Sequence, residues 1–262
     1  MLMRKILLTT VGVTALAVSA NATDFTLSGT AKVKVADDGN TSVSVATNIG
    51  VSKTFDNGMV LSLSNNNLTN AAELTVKSDA ISVTFGDYDQ NEKNPGLNGN
   101  AASSDITGDG ITAANHSNAG AISLGASVAG MGIGAAMNND GDTMFGASFT
   151  TDVGGMAMTI GGDVHSDNTS SADETAMGVK ATIGSLVVVA NSVQKEAAAG
   201  VDVTTYSAAY TTGGLVIGFQ GADNDASSYS ATYTIVPGMQ FEIGSLDNGT
   251  TSTSSAELQM TF

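Results

Sequence analysis

The sequence predicts an all-β fold, a transmembrane antiparallel up-and-down β-barrel of about 16 strands. Three observations predict it. Apolar or small residues recur at every second position through most of the chain, the pattern of strands with two unlike faces. Tight turn signals alternate with longer polar connections, as expected where one end of a barrel carries short turns and the other carries loops. The composition is 42% hydrophobic but only 5% aromatic with no Trp. The hydrophobic share is dominated by Ala and Val, which is thin material for a water-soluble core.

Taken in order, the first element is an address rather than a structure. Arg4 and Lys5 precede an apolar run over 6–18, and Ser19-Ala20-Asn21-Ala22 follows with small residues at both positions of an A-x-A cleavage site. This is the layout of a secretory signal peptide, so residues 1–22 are expected to be cleaved and 23–262 to form the barrel domain. The remaining 240 residues hold seven Lys, no Arg and 25 acids, a net charge of −18. No later stretch reaches the roughly 20 apolar residues of a membrane helix.

The first strand reads from Phe25, Leu27, Gly29, Ala31, Val33 and Val35, with Thr26, Ser28, Thr30, Lys32 and Lys34 between them. The same alternation places strands over 24–36, 41–54, 58–65, 70–77, 80–86, 117–128, 131–137 and 143–152. It continues over 156–165, 174–183, 186–195, 203–212, 215–222, 228–236, 239–246 and 255–262. Residues 119–137 read either as one long strand or as two joined at Ala129-Gly130-Met131. Strands three to five are shorter than the roughly 9–11 residues that a tilted membrane strand needs. Short turns are marked by Asp56-Asn57-Gly58, Gly154-Gly155, Gly213-Gly214 and Pro237-Gly238, residues that supply the backbone angles of tight hairpins. An even strand number puts both termini at the short-turn end. In hydrocarbon only a closed barrel pairs every backbone group of a strand. The apolar set is therefore expected to face lipid and the polar set a water-filled lumen.

Composition also excludes function classes. The formal charge of −16 removes nucleic acid as a partner, since phosphate binding needs a basic face. The absence of Cys removes thiol catalysis, disulfide scaffolds and thiolate metal sites. His116 and His165 stand far apart with no third ligand, and no G-x-S-x-G elbow is present, so an enzyme is not expected. Gly130-Met-Gly-Ile-Gly134 lies in a strand pattern with no helix after it, which is not the setting of a dinucleotide loop. No cofactor is expected. Asn139-Asp-Gly-Asp-Thr143 and Asp105-Ile-Thr-Gly-Asp-Gly110 cluster oxygen donors near Gly and could take Ca²⁺, although neither completes an EF-hand and turn chemistry explains both. Tyr206, Tyr210, Tyr229, Tyr233 and Phe262 are candidates for part of an aromatic girdle.

In layout the chain resembles the general diffusion porins of alphaproteobacterial outer membranes. The resemblance rests on the signal peptide followed at once by Phe25-Thr-Leu-Ser-Gly29, on Ser52–Leu63 with its Gly58 turn, on Val83-Thr-Phe-Gly-Asp87 leading into one long loop, and on Glu257-Leu-Gln-Met-Thr-Phe262 ending in Phe. It implies a 16-stranded barrel in the outer membrane of a Gram-negative cell, surrounded by outer-membrane lipid and assembled as a homotrimer. It implies a third loop folded inward, here 87–115, as the constriction, and a channel for passive diffusion of small hydrophilic solutes and ions. The terminal Phe262 is similar to the outer-membrane sorting signal. On the loop the acids are Asp87, Asp89, Glu92, Asp105 and Asp109. The family sets such acids against a basic wall, for which this chain offers Lys32, Lys34, Lys77 and Lys180, all at lumen parity. With no Arg in the mature chain the acidic side is expected to dominate and to favour cations mildly. A non-conducting structural or adhesive barrel is the alternative.

Overall fold

The computed structural model describes residues 24–37, 41–66, 73–86, 121–168, 173–195, 202–223 and 225–262. The signal segment, the acids at 87–109 and the second candidate Ca²⁺ segment, 105–110, lie outside the described residues. Among those described there is no helix.

Sixteen strands form one closed, all-antiparallel ring in which each pairs with its neighbours in sequence and the last pairs with the first. They are β1 (Asp24–Ala36), β2 (Thr41–Thr54), β3 (Val60–Asn66), β4 (Glu73–Lys77), β5 (Ile81–Phe85), β6 (Ile122–Val128), β7 (Met131–Met137) and β8 (Thr143–Val153). The ring continues with β9 (Met156–Ser166), β10 (Glu174–Ile183), β11 (Leu186–Lys195), β12 (Val203–Thr212), β13 (Leu215–Ala222), β14 (Ser227–Val236), β15 (Met239–Asp247) and β16 (Ser252–Thr261). The alternation in the sequence thus reads the strand set correctly, with bounds differing by one to five residues at some ends.

The ambiguity at 119–137 resolves as a hairpin of β6 and β7. Ala129 (φ 49°) and Gly130 (φ 80°) both take positive φ, the signature of a turn whose twist matches that of its strands. Thr150 N–H donates to the Gly130 carbonyl across the sheet at 2.8 Å. Among the connections at the loop end after β8, two are only four residues long, 223–226 and 248–251. In the second, Asn248 Oδ1 accepts the N–H groups of Thr250 (3.0 Å) and Thr251 (2.8 Å).

Burial is inverted relative to a water-soluble protein. Outward side chains are apolar and exposed, such as Val128 at 67% and Met177 at 64%, whereas the buried class is rich in Thr, Ser, Asn, Gln, Asp and Glu. Such an outer surface is stable only against lipid, where leaving water is favourable by about 25 cal/mol per Å² of apolar area. The four described tyrosines divide between the two ends of the strands. Tyr206 and Tyr229 stand near the loop ends of β12 and β14, while Tyr210 and Tyr233 stand near the tight turns at 213–214 and 237–238. Phe219 joins the first group, its ring centroid 5.8 Å from that of Tyr206 and 5.0 Å from that of Tyr229. Lys53 also faces outward, and its Nζ lies 5.6 Å from the centroid of the Phe55 ring beside the tight turn, where a lysine can reach the headgroup level.

The seam between β1 and β16 closes the ring. Gly29 and Phe262 exchange backbone hydrogen bonds, with Gly29 N–H donating to the Phe262 carbonyl at 2.8 Å and Phe262 N–H to that of Gly29 at 2.9 Å. The Phe262 ring lies over Gly29, where any Cβ would meet ring atoms at 2.5 Å. The Ala46 carbonyl oxygen would lie 2.7 Å from the same Cβ, so glycine lets the last residue lie down on the first strand.

The wall is low on one side. β4 and β5 have five residues each, about 17 Å of strand at 3.3–3.4 Å per residue, and the 87–120 connection leaves from there. At its base Gly86 N–H donates to the Ala121 carbonyl at 2.8 Å.

The β6–β7 turn supplies a stability test. Ala129→Gly relieves a left-handed alanine and is expected to stabilise the barrel by up to about 1 kcal/mol. Gly130→Val is expected to destabilise it by about 1–3 kcal/mol, because its Cβ would lie 2.7 Å from the Thr150 carbonyl oxygen. Urea unfolding in detergent or lipid measures both.

Candidate functional site: the inner wall

Alternation hands every second side chain to the barrel interior, and the register decides which of them meet. On β1 the inward set is Ser28, Thr30, Lys32 and Lys34. Across the seam β16 presents Ser255, Glu257 and Gln259, and β15 presents Gln240, Glu242 and Gly244. Glu242 and Glu257 are direct register partners, and Glu257 is also the partner of Lys34. Both carboxylates are nearly inaccessible, at 2% and 4%. Like charges directly opposite on a sheet repel, and buried charge requires a counter-charge. Lys32 supplies one, with its Nζ 3.3 Å from Glu257 Oε1 and its side chain 25% exposed. One row away Gln240 Nε2 donates to Gln259 Oε1 at 3.2 Å, and Thr232 borders Glu242 on β14.

A second charged group lies across the barrel on β9 and β10, which are eight and nine strands along the ring from β1. His165 and Glu174 are register partners and Asp163 precedes them on the same face. All three are buried. On the stretch of wall that leads to this group, two rows carry small residues: Gly125, Gly134 and Gly146 lie in one, which continues into Asp163, and Gly132 and Ser148 in the next, which continues into Gly161 and Gly178.

The four lysines proposed from the sequence are all on the inner face, but they do not come together. Lys32 and Lys34 share the seam. Lys77 sits at the tight-turn end of β4 beside Ser82. Lys180 lies within β10 between Thr159 and Val189. The acids offered for the opposing side, Asp87, Asp89, Glu92, Asp105 and Asp109, are outside the described residues. Sequence reasoning missed Glu242, Glu257, Asp163 and Glu174 as wall residues. Parity could have found each, because Glu257 stands between Ala256 and Leu258, and Glu242 between Phe241 and Ile243.

At the first candidate Ca²⁺ turn the Asp142 carboxylate and the Asp140 backbone carbonyl are engaged in hydrogen bonds. Asp142 is buried, its Oδ2 accepting Asn138 Nδ2–H at 2.8 Å and its Oδ1 the Asn168 N–H at 3.0 Å. Asn138 Oδ1 accepts the N–H groups of Asp140 (3.1 Å) and Asp142 (2.9 Å), and Asn168 Nδ2 donates to the Asp140 carbonyl at 3.0 Å. The cluster clasps two neighbouring loops at the rim.

No family model and no curated protein matches the sequence. Solved structures do match. An engineered variant of the Rhodopseudomonas blastica porin superposes with a TM-score of 0.68 at 12% identity, over 92% of this chain and 100% of that one. The fold is that of a porin. A second variant of the same porin gives 0.66 at 12% identity over 92% and 100% of the two chains. A structure from work on the asymmetric conductivity of engineered proteins gives 0.65 at 14% identity, over 91% and 100%. The likeness is one of architecture, and it spans the porin chains from end to end.

Asp142→Ala is expected to lower stability by about 1–3 kcal/mol, because it leaves buried amide donors unmet. Faster proteolytic nicking at the loop that carries Asn168, with the barrel otherwise intact, checks it.

Proposed function

We propose that this chain is a porin of a Gram-negative outer membrane, a water-filled channel through which small hydrophilic solutes and ions diffuse passively. The observation that carries the reading is the closed 16-strand ring with apolar residues outward and Thr, Ser, Gln, Lys, Asp and Glu inward. A polar interior in a lipid-facing barrel has its use in water, and the porin fold supports the same reading. Residues 1–22 serve as the export signal, and Phe262 as part of the sorting signal in addition to sealing the seam.

In this reading the 87–115 loop folds inward as the constriction, and its acids Asp87, Asp89, Glu92, Asp105 and Asp109 raise the local cation concentration. Lys32, Lys34, Lys77 and Lys180 line the wall. The assembly is a homotrimer in outer-membrane lipid. The low wall at β4–β5 supports this, as does an outer apolar groove of about 660 Å³ beside the seam, lined by Val35, Ile217, Tyr229, Ala231, Ile243 and Ala256. No bound cofactor is needed, and Ca²⁺ at the rim is an accessory at most.

A sealed structural barrel is the second reading. The near-complete burial of Thr84, Ser123 and His165 on the inner wall favours it.

Planar-bilayer recording of the refolded protein under a KCl gradient separates the two. Steady conductance steps with a cation-side reversal potential are expected. An inserted barrel that passes no current would establish the sealed reading. Replacing Asp87, Asp89 and Glu92 together by their amides is expected to lower the K⁺ to Cl⁻ permeability ratio without abolishing the steps.

A further inference from the structure

We propose that Glu242 and Glu257 are specificity-determining residues that cancel the seam lysines, so that this wall presents ion pairs rather than positive charge to the lumen. The inference rests on the channel reading above. A basic wall works at a distance only if its charge is uncompensated. Here Lys32 Nζ is 3.3 Å from Glu257 Oε1, Lys34 faces Glu257 across the seam, and Glu242 faces Glu257 from the other side. Two ammonium groups and two carboxylates therefore occupy neighbouring inner positions on β1, β15 and β16, and their formal charges sum to zero.

The field of such a patch falls off as that of a dipole, faster than that of a lone charge, and at 0.1 M salt screening removes the rest beyond about 10 Å. An ion near the centre of a 16-strand lumen then feels little from this wall. The acids elsewhere in the channel act unopposed, and cations are favoured. The geometry also makes the carboxylates the controlling members. They are nearly inaccessible while Lys32 remains partly accessible, so removing a carboxylate unmasks a lysine that ions can reach.

Reversal potentials of single-site variants test this with opposite signs. Glu257→Gln and Glu242→Gln are each expected to lower the K⁺ to Cl⁻ permeability ratio, on the order of twofold for one charge at this range. Lys32→Met is expected to raise it by a similar factor. The balanced double variant Lys32→Met/Glu257→Gln is expected to return to the parent ratio, which a merely structural role for the pair would not do. If either glutamate variant fails to fold, as judged by loss of the folded band on unheated gels, the other reads the same sign. Shifts of both classes in one direction, or an unchanged ratio with the steps intact, overturn the proposal. A parent protein that inserts but passes no current overturns the channel reading itself, an outcome distinct from an unchanged ratio.

Discussion

In hydrocarbon a peptide N–H or C=O without a partner costs several kcal/mol, and every other feature of this molecule follows from meeting that demand with strands. An open sheet would leave two edges unpaired. β1 therefore meets β16 along seven register pairs, from Thr30 with Thr261 to Ala36 with Ser255, and the exchange between Gly29 and Phe262 finishes the seam. A residue at the very end of the chain thus completes the hydrogen bonding of one near its start. Glycine at position 29 is the steric condition for that closure, because the Phe262 ring and the Ala46 carbonyl oxygen occupy the space a side chain would need. Tyr206 lies over Gly221 in the same manner, with ring atoms 2.7 Å from where a Cβ would stand.

Closure separates two solvents with one sheet. Because the side-chain period is two, each strand must satisfy lipid and interior at once, which explains why exposed Val, Ile, Phe and Met coexist with buried Glu, Asp and Gln. It also explains the modest size of the apolar residues. An outer face turned to lipid chains rather than to a second protein layer needs no interlocking of large side chains. The interior, in turn, must manage its own charges. Opposed glutamates on β15 and β16 would repel, and Lys32 offsets this at 3.3 Å. The wall chemistry and the stability of the seam are therefore coupled through the same residues.

Much of this was legible in the residues. The alternation of Phe25, Leu27 and Ala31 with Ser28, Thr30 and Lys32 marks both the strand and its inner face, since a slip of one residue would turn every side chain over. The turns were legible where Gly supplies positive φ, as at 154–155 and 213–214. The β6–β7 hairpin was harder, because Ala129 adopts a left-handed conformation that alanine does not advertise. The inner position of Lys32, Lys34, Lys77 and Lys180 followed from parity, but their dispersal around the ring did not.

The sequence by itself determined that the chain forms two-faced strands, that there are about 16 of them, which end carries the short turns and which residues point inward, because all of these depend on near neighbours; that 119–137 is two strands rather than one was decided by the turn at Ala129 and Gly130. Only the tertiary structure decided that Glu257 sits between Glu242 and Lys34, that Lys32 reaches it, and that His165 and Glu174 stand on the far side. The meetings of Glu257 with Lys32 and Lys34 depend on register across a seam whose two strands lie more than 200 residues apart. No local pattern encodes such a register. It is set by closing the ring so that every backbone group finds its partner.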